Sequence, residues 1–247
     1  IRDSISVADP FVDFSKYDFV VAIPPSNTTE IVYGPAFPLA DWDNQLATAE
    51  KNIKNATVAG TDSMRDPSRS WFWLSHEVGH LFGLEHQYSW NSVTYPTERL
   101  GIWDLMNTGD AAPEFLAWHR FVLDWLDSSS LDCVNRDKHI GKTTVHLLSP
   151  IESQDPGIKG LVIRVNDYQA LVVEVRRNLG FDHINSLDDG VVVYRVNVRD
   201  LDTVQEVYIL SDANVPKDVP ISGSLKPGDS VSDLGIQVKV LTSTSIG

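Results

Sequence analysis

The stretch His76-Glu77-Val78-Gly79-His80-Leu81-Phe82-Gly83-Leu84-Glu85-His86 puts three of the chain's seven histidines into eleven positions. Two histidines four apart on a helix project from the same side, one turn above the other, the spacing a single metal ion needs from two imidazoles. A chain with that pattern has to seat one side of the helix in a core and turn the other toward a cleft. At 100° per residue, Trp71, Leu74, Val78, Leu81 and Phe82 gather about one direction and His76 and His80 fall nearly opposite. The apolar side is therefore expected to face the core, with both imidazoles and Trp73 facing the cleft and Glu77 on the flank between. Asp66 suits the helix cap and Pro67 its first position. At the far end Gly83 reaches the left-handed conformation that stops a helix, a turn that can swing His86 back as a third ligand.

Three neutral imidazoles leave a fourth tetrahedral position for water, the arrangement of a catalytic zinc site. Zinc lowers that water's pKa toward neutrality and polarises a carbonyl. Glu77, next to a ligand but pointing elsewhere, is placed to act as general base. The plainer reading is a helix with surface histidines and Gly83 as a simple C-cap. The five-residue pattern favours the metal.

With 247 residues, 42% of them hydrophobic, the chain can bury a substantial core and form one large domain or two modest ones. No run of apolar residues is long enough to span a bilayer, and Ile1 opens a polar segment instead of a signal sequence, so the start reads as trimmed. A formal charge of −14 argues against nucleic acid and anionic membrane as partners. Cys133 is the single cysteine, which excludes an internal disulfide and a cysteine-rich zinc site. Two glycosylation tripeptides, at Asn27 and Asn55, hint at secretion.

Phe19–Ile23 and Glu30–Gly34 read as strands, and Asn44–Asn55 as a surface helix. From about Pro113 to Asp127 a second helix carries the apolar stripe Phe115, Trp118, Val122, Trp125 and Leu126, with His119 at its edge as a packed structural histidine. His139, His146 and His183 have no partners at ligand spacing. After Cys133 come alternating segments, Thr144–Leu148, Leu161–Val165, Ala170–Val175, Val191–Val196 and Gln237–Leu241, which suggest a small antiparallel sandwich. Asp182, Asp188 and Asp189 offer oxygens to a calcium ion, though solvated turn acids are the commoner reading.

The run His76-Glu77-x-x-His80-x-x-Gly83-x-x-His86 resembles the extended zinc motif of metzincin metallopeptidases, and Asp104-Leu105-Met106-Asn107 resembles their methionine turn. The sharper likeness is to the immune-inhibitor-A-like peptidases of the M6 family. It extends over Trp103–Gly109, Leu116–Leu126, Asp13–Asp18 and Val173–Arg177 with Gly180-Phe181-Asp182. That resemblance implies an α+β protein: a metzincin-like catalytic domain, residues 1–137, of twisted sheet plus zinc helix, then an antiparallel β-sandwich, residues 138–247. It implies one zinc on His76, His80 and His86, Glu77 as catalytic base and Met106 in the turn beneath. It also implies a secreted, monomeric endopeptidase whose partners are protein or peptide substrates, with the strand near Glu30–Gly34 as the cleft's upper rim. Thr108 stands where some metzincins carry an oxyanion-stabilising tyrosine; Tyr88 and Tyr95 lie nearby in sequence. Glu85 is an alternative ligand to His86. Two other readings are a vestigial zinc site on a module whose β-domain recognises glycans or protein surfaces, and a zinc hydrolase of non-peptide amides. Intact Glu77 favours an active enzyme.

Overall fold

The computed structural model describes residues 1–38, 46–61, 70–85, 87, 100, 103–107, 114–182, 189–199, 207–210 and 224–242. Helices and several sheets are mixed along the chain, which divides into two compact units, Ile1–Glu85 and His86–Gly247. Among the described residues no helix is long and apolar enough to cross a membrane.

In the first unit, β1 (Val20–Ala22), β2 (Ala36–Phe37) and β3 (Ala56–Val58) form a sheet with β3 in the middle, parallel to β1 and antiparallel to β2. The β1 run stops short of Pro24-Pro25, because proline has no amide hydrogen for a ladder. Helix α1 (Arg2–Ala8) is too short to persist alone, and its Ile5 is buried with Phe14, Leu46, Ile53 and Ala56. Helix α2 (Ser70–Leu81) packs on β2 and β3. The proposed start of that helix at Asp66 and Pro67 lies outside the described residues.

Two expected elements of this unit are replaced. Glu30–Gly34 is not a strand; the pairing begins at Ala36. The reason is a backbone crossing: a Cβ on Gly34 would lie 2.1 Å from the Val58 carbonyl oxygen, and one on Gly60 would lie 2.4 Å from that of Val32. Such an approach is open only to glycine and leaves no room for a ladder. In place of a helix over Asn44–Asn55, residues 46–55 form a turn closed by an Ala47–Asn52 bridge, with the Ile53 amide donating to the Leu46 carbonyl at 2.9 Å. The Thr48 hydroxyl donates to the Lys51 carbonyl at 2.7 Å and Asp9 accepts from the Ala49 amide at 3.0 Å. Side chains that bond nearby backbone compete with helix. Closing the turn also brings Leu46 and Ile53 into the core together.

The second unit is built on a five-stranded sheet in the order β4 (Leu131–Asn135), β5 (Gly160–Arg164), β6 (Gln169–Arg176), β7 (Gly190–Asn197), β8 (Val207–Leu210). Later in the unit comes a hairpin, β9 (Ser230–Asp233) and β10 (Ile236–Lys239). Alternation along the strands divides the apolar residues between two faces. Leu161, Ile163, Leu171, Val173 and Val193 pack with Val231, Val240 and the hairpin's inner residues. On the other face Val172, Val192, Tyr194, Val196, Val207 and Ile209 pack with Leu100, Trp103 and Leu116. Because Leu100, Trp103 and Leu116 belong to this core, the unit takes in residues ahead of the expected boundary at 137/138.

Not all of the sheet is antiparallel, since β4 and β5 run parallel. Thr144–Leu148 is not a strand either: Val145 and Leu147 are exposed, and His146 is tied to Asp132 Oδ2 at 2.8 Å. The helix expected from Pro113 to Asp127 shortens to α3 (Ala117–Val122), ended by Asp124 at φ 59°; Pro113 lies outside the described residues. Its stripe is also different. Val122 and Trp125 are half exposed, whereas Leu116, Ala117 and His119 are buried. What orients α3 is polar: the amides of Leu116, Ala117 and Trp118, which have no partner inside a helix, donate to Asp104 Oδ2 at 2.7 Å, Glu174 Oε2 at 2.7 Å and the Tyr194 hydroxyl at 3.1 Å.

Candidate metal centre

Helix α2 ends as its glycine requires. Gly83 sits at φ 95°, its amide donates to the His80 carbonyl at 2.9 Å, and the Leu84 amide donates to the Gly79 carbonyl at 3.1 Å. These are the two bonds of a Schellman motif. The turn carries the Leu84 carbonyl back over the helix, where it accepts from His80 Nδ1 at 2.6 Å. A carbonyl can only accept, so that bond puts the proton on Nδ1 and the lone pair on Nε2. His80 Nε2 then faces His76 Nε2 at 3.2 Å. Two nitrogens each about 2.05 Å from a tetrahedral zinc stand about 3.3 Å apart, so the pair fits one ion. The Trp73 ring stacks on His76 with centroids 6.0 Å apart. His86 lies outside the described residues, and among those described no three potential ligands cluster. Glu85 is exposed.

The burial of α2 reverses part of the expectation. His76 and His80 are buried, as are Glu77 and Phe72, while Phe82 of the supposed core stripe is exposed. The reason is the segment leading into β2. Trp73 Nε1 donates to the Gly34 carbonyl at 3.2 Å, and the Ala36 amide donates to Glu77 Oε2 at 2.5 Å. Trp73 and Glu77 are four helical residues apart, about 6.0 Å along the axis, and Gly34 and Ala36 are two residues apart, about 6.6 Å in extended chain, so the two segments match in step. Burial pushes the Glu77 carboxyl up to about 7 against the opposing pull of the Ala36 amide. Burial also lowers His80, with the Leu84 carbonyl and Glu85 acting against it. A low value keeps imidazole in its neutral, ligating form.

In the second unit the Asp104-Leu105-Met106-Asn107 turn closes with the Asn107 amide donating to the Asp104 carbonyl at 3.2 Å. The Asp104 carboxylate is fully buried and accepts from the Met106 amide at 2.7 Å, from the Leu116 amide, and from His119 Nδ1 at 2.8 Å. Burial opposes ionisation there, but His119 and the two amides hold the carboxyl below its usual range. His119 is thus a packed histidine, as expected, fixed by a partner that the helical periodicity did not show. Met106 is buried, and its carbonyl accepts from the Gln87 amide at 3.1 Å. Thr108, Tyr88 and Tyr95 lie outside the described residues.

Of the three aspartates considered for calcium, Asp188 lies outside the described residues and Asp189 bonds Arg177 and the Asn178 amide. Asp182 is not a solvated turn acid. It is buried against Arg176, 2.9 Å from Nε and 2.5 Å from Nη2. Glu152 and Glu174 meet the same guanidinium at 2.8 and 3.1 Å, and Arg176 Nη1 donates to the Trp103 carbonyl at 2.9 Å. Burial drives the Glu152 carboxyl up to about 8, with Arg176 opposing and Asp182 reinforcing the shift. Compared with family models, with curated proteins and with solved structures, the chain matches none of them.

Proposed function

We propose that the protein is a secreted, monomeric zinc-dependent endopeptidase of metzincin type, its zinc held by His76, His80 and His86. The observation that carries this reading is the His76–His80 pair, two buried Nε2 atoms 3.2 Å apart with the Glu77 carboxylate on the same helix. Zinc bound there supplies a Lewis acid and brings a water's pKa toward neutrality. Glu77, positioned through Oε2 by the Ala36 amide, takes a proton from water as its oxygen attacks the scissile carbonyl carbon. It returns that proton to the amine nitrogen as the C–N bond breaks. The rim expected at Glu30–Gly34 passes to the segment running through Gly34 and Ala36, and an extended peptide pairs along it. The hairpin layered on the five-stranded sheet supports a β-sandwich reading of the C-terminal part.

Glu77→Gln is expected to retain one zinc per chain and to lose casein cleavage by a factor of about 10² or more. Full activity in that variant overturns the base assignment. Wild-type cleavage that survives a chelator overturns the zinc peptidase reading.

A further inference from the structure

The turn that joins β5 to β6 and the residues that leave β7 meet at one end of the five-stranded sheet, all within the second unit. Two backbone bonds bring them together. The Val165 amide donates to the Gln169 carbonyl at 2.9 Å, closing the turn, and the Val198 amide donates to the Tyr168 carbonyl at 2.9 Å. Beside them lies a cavity of about 350 Å³, lined among the described residues by Asn166, Tyr168, Gln169, Asn197 and Arg199. That is the small end of ligand pockets, which run from about 300 to 1,000 Å³. Gln169 and Asn197 stand opposite each other in the β6–β7 ladder, so their side chains share a face of the sheet.

What this lining offers a ligand follows from which of its groups are already used. A backbone amide can only donate, and that fixes which way each side-chain amide points. Asn166 Oδ1 accepts from the Tyr168 and Gln169 amides at 2.8 and 2.9 Å, so Nδ2 is the end that reaches Gln169, donating to its Oε1 at 3.0 Å. Asn197 Oδ1 accepts from the Arg199 amide at 3.2 Å. Each of these oxygens thus has a donor, whereas Gln169 Nε2 and Asn197 Nδ2 have no partner among the described residues. The Arg199 guanidinium lies 5.0 Å from the centre of the half-exposed Tyr168 ring. It forms no ion pair among the described residues, in a chain where acids outnumber bases 34 to 20. The acid of the turn, Asp167, is turned to Arg164. A cavity left with amide donors and one cation selects an acceptor-rich anion, and the planar guanidinium fork matches a carboxylate. The geometry points to a binding site for a small carboxylate ligand, which Arg199 pairs while Gln169 Nε2 and Asn197 Nδ2 donate to its oxygens. A peptide C-terminus and a sugar acid both carry that chemistry, and zinc plays no part in it.

The test titrates the isotope-labelled full chain with hippurate, a peptide-type carboxylate, and with glucuronate, a sugar acid. The side-chain amide signals of Gln169 and Asn197 are followed, so that an acid bound to a metal does not register. Saturable shifts are expected with one acid or both, and the tighter of the two names the source. Hippuramide and glucose, which lack the carboxylate, should move neither signal. Gln169→Glu keeps the oxygen that Asn166 bonds and replaces the donor with a second acceptor; Arg199→Gln removes the charge. Read at Asn197, each is expected to weaken binding about 10- to 100-fold, the scale of one hydrogen bond to a charged group. The site is overturned if neither acid moves the two signals, if the neutral analogues move them equally, or if either variant binds as wild type does. Inorganic phosphate binding as tightly as the better acid overturns the choice of carboxylate. Should Gln169→Glu disturb the turn, Arg199→Gln, whose side chain makes no bond within it, decides alone.

Discussion

At Arg176 three buried carboxylates face a single buried guanidinium, an excess of negative charge that a dry interior does not tolerate without a proton. Glu152 is where that proton settles, since burial and the neighbouring Asp182 both favour its neutral form. A carboxyl that holds its proton more tightly folded than unfolded favours folding while protonated. The contribution is complete below the usual value of 4.5 and is lost as pH rises through about 8. In metal-free protein the urea midpoint is therefore expected to fall between about pH 5 and 8, with Glu77 acting in the same direction, and Glu152→Gln should reduce that slope. A midpoint in wild type that is level across the window would show that the cluster carries no such proton. The exposed Asp13 and Asp127, whose values are lowered by hydrogen bonds to Ser15 and Ser129, act only at lower pH.

At the scale of elements, two glycines separate strain from collision. Gly83 has nothing within 4 Å of its absent Cβ, so Gly83→Ala is expected to cost only the left-handed backbone, about 1–2 kcal/mol. Gly34→Ala drives a methyl into the Val58 carbonyl and should cost about 3 kcal/mol. Urea unfolding of the two variants orders them, and equal losses would contradict the crossing at Gly34 and Gly60. What could be read beforehand follows the same division. Leu161–Val165, Ala170–Val175 and Val191–Val196 were legible because β-branched alternation reflects local packing on a sheet. The histidine spacing and the Gly83 stop were legible because both act within one helix. Glu30–Gly34 was not, because its backbone is captured by Gly60, distant in sequence. Nor was the orientation of α3, which is decided by Asp104, Glu174 and Tyr194. In the candidate metal centre, Trp73 and Glu77 bond the segment that leads into β2, and no periodicity within α2 reports such partners.

Over the molecule as a whole, the order of assembly follows from how α3 is held. Six residues cannot sustain a helix in water, and the bonds at its N-terminus come from residues 12, 57 and 76 positions away. The hydroxyl of Tyr194 links two of them, accepting from Trp118 and donating to Glu174 at 2.7 Å. Tyr194→Phe removes that link, taking one hydrogen bond each from the Trp118 amide and the buried Glu174 carboxylate, a loss of about 2 kcal/mol. The helix has to wait until β6 and β7 stand side by side, and is expected to dock after the rate-limiting step of folding. Stopped-flow traces for Tyr194→Phe are thus expected to show unfolding about 30-fold faster and refolding almost unchanged; a matching slowdown in refolding would mean that the helix docks early. Since the Asp104 carboxylate that steadies the turn at Met106 also caps this helix, newly made chains complete the sheet first and settle that turn last.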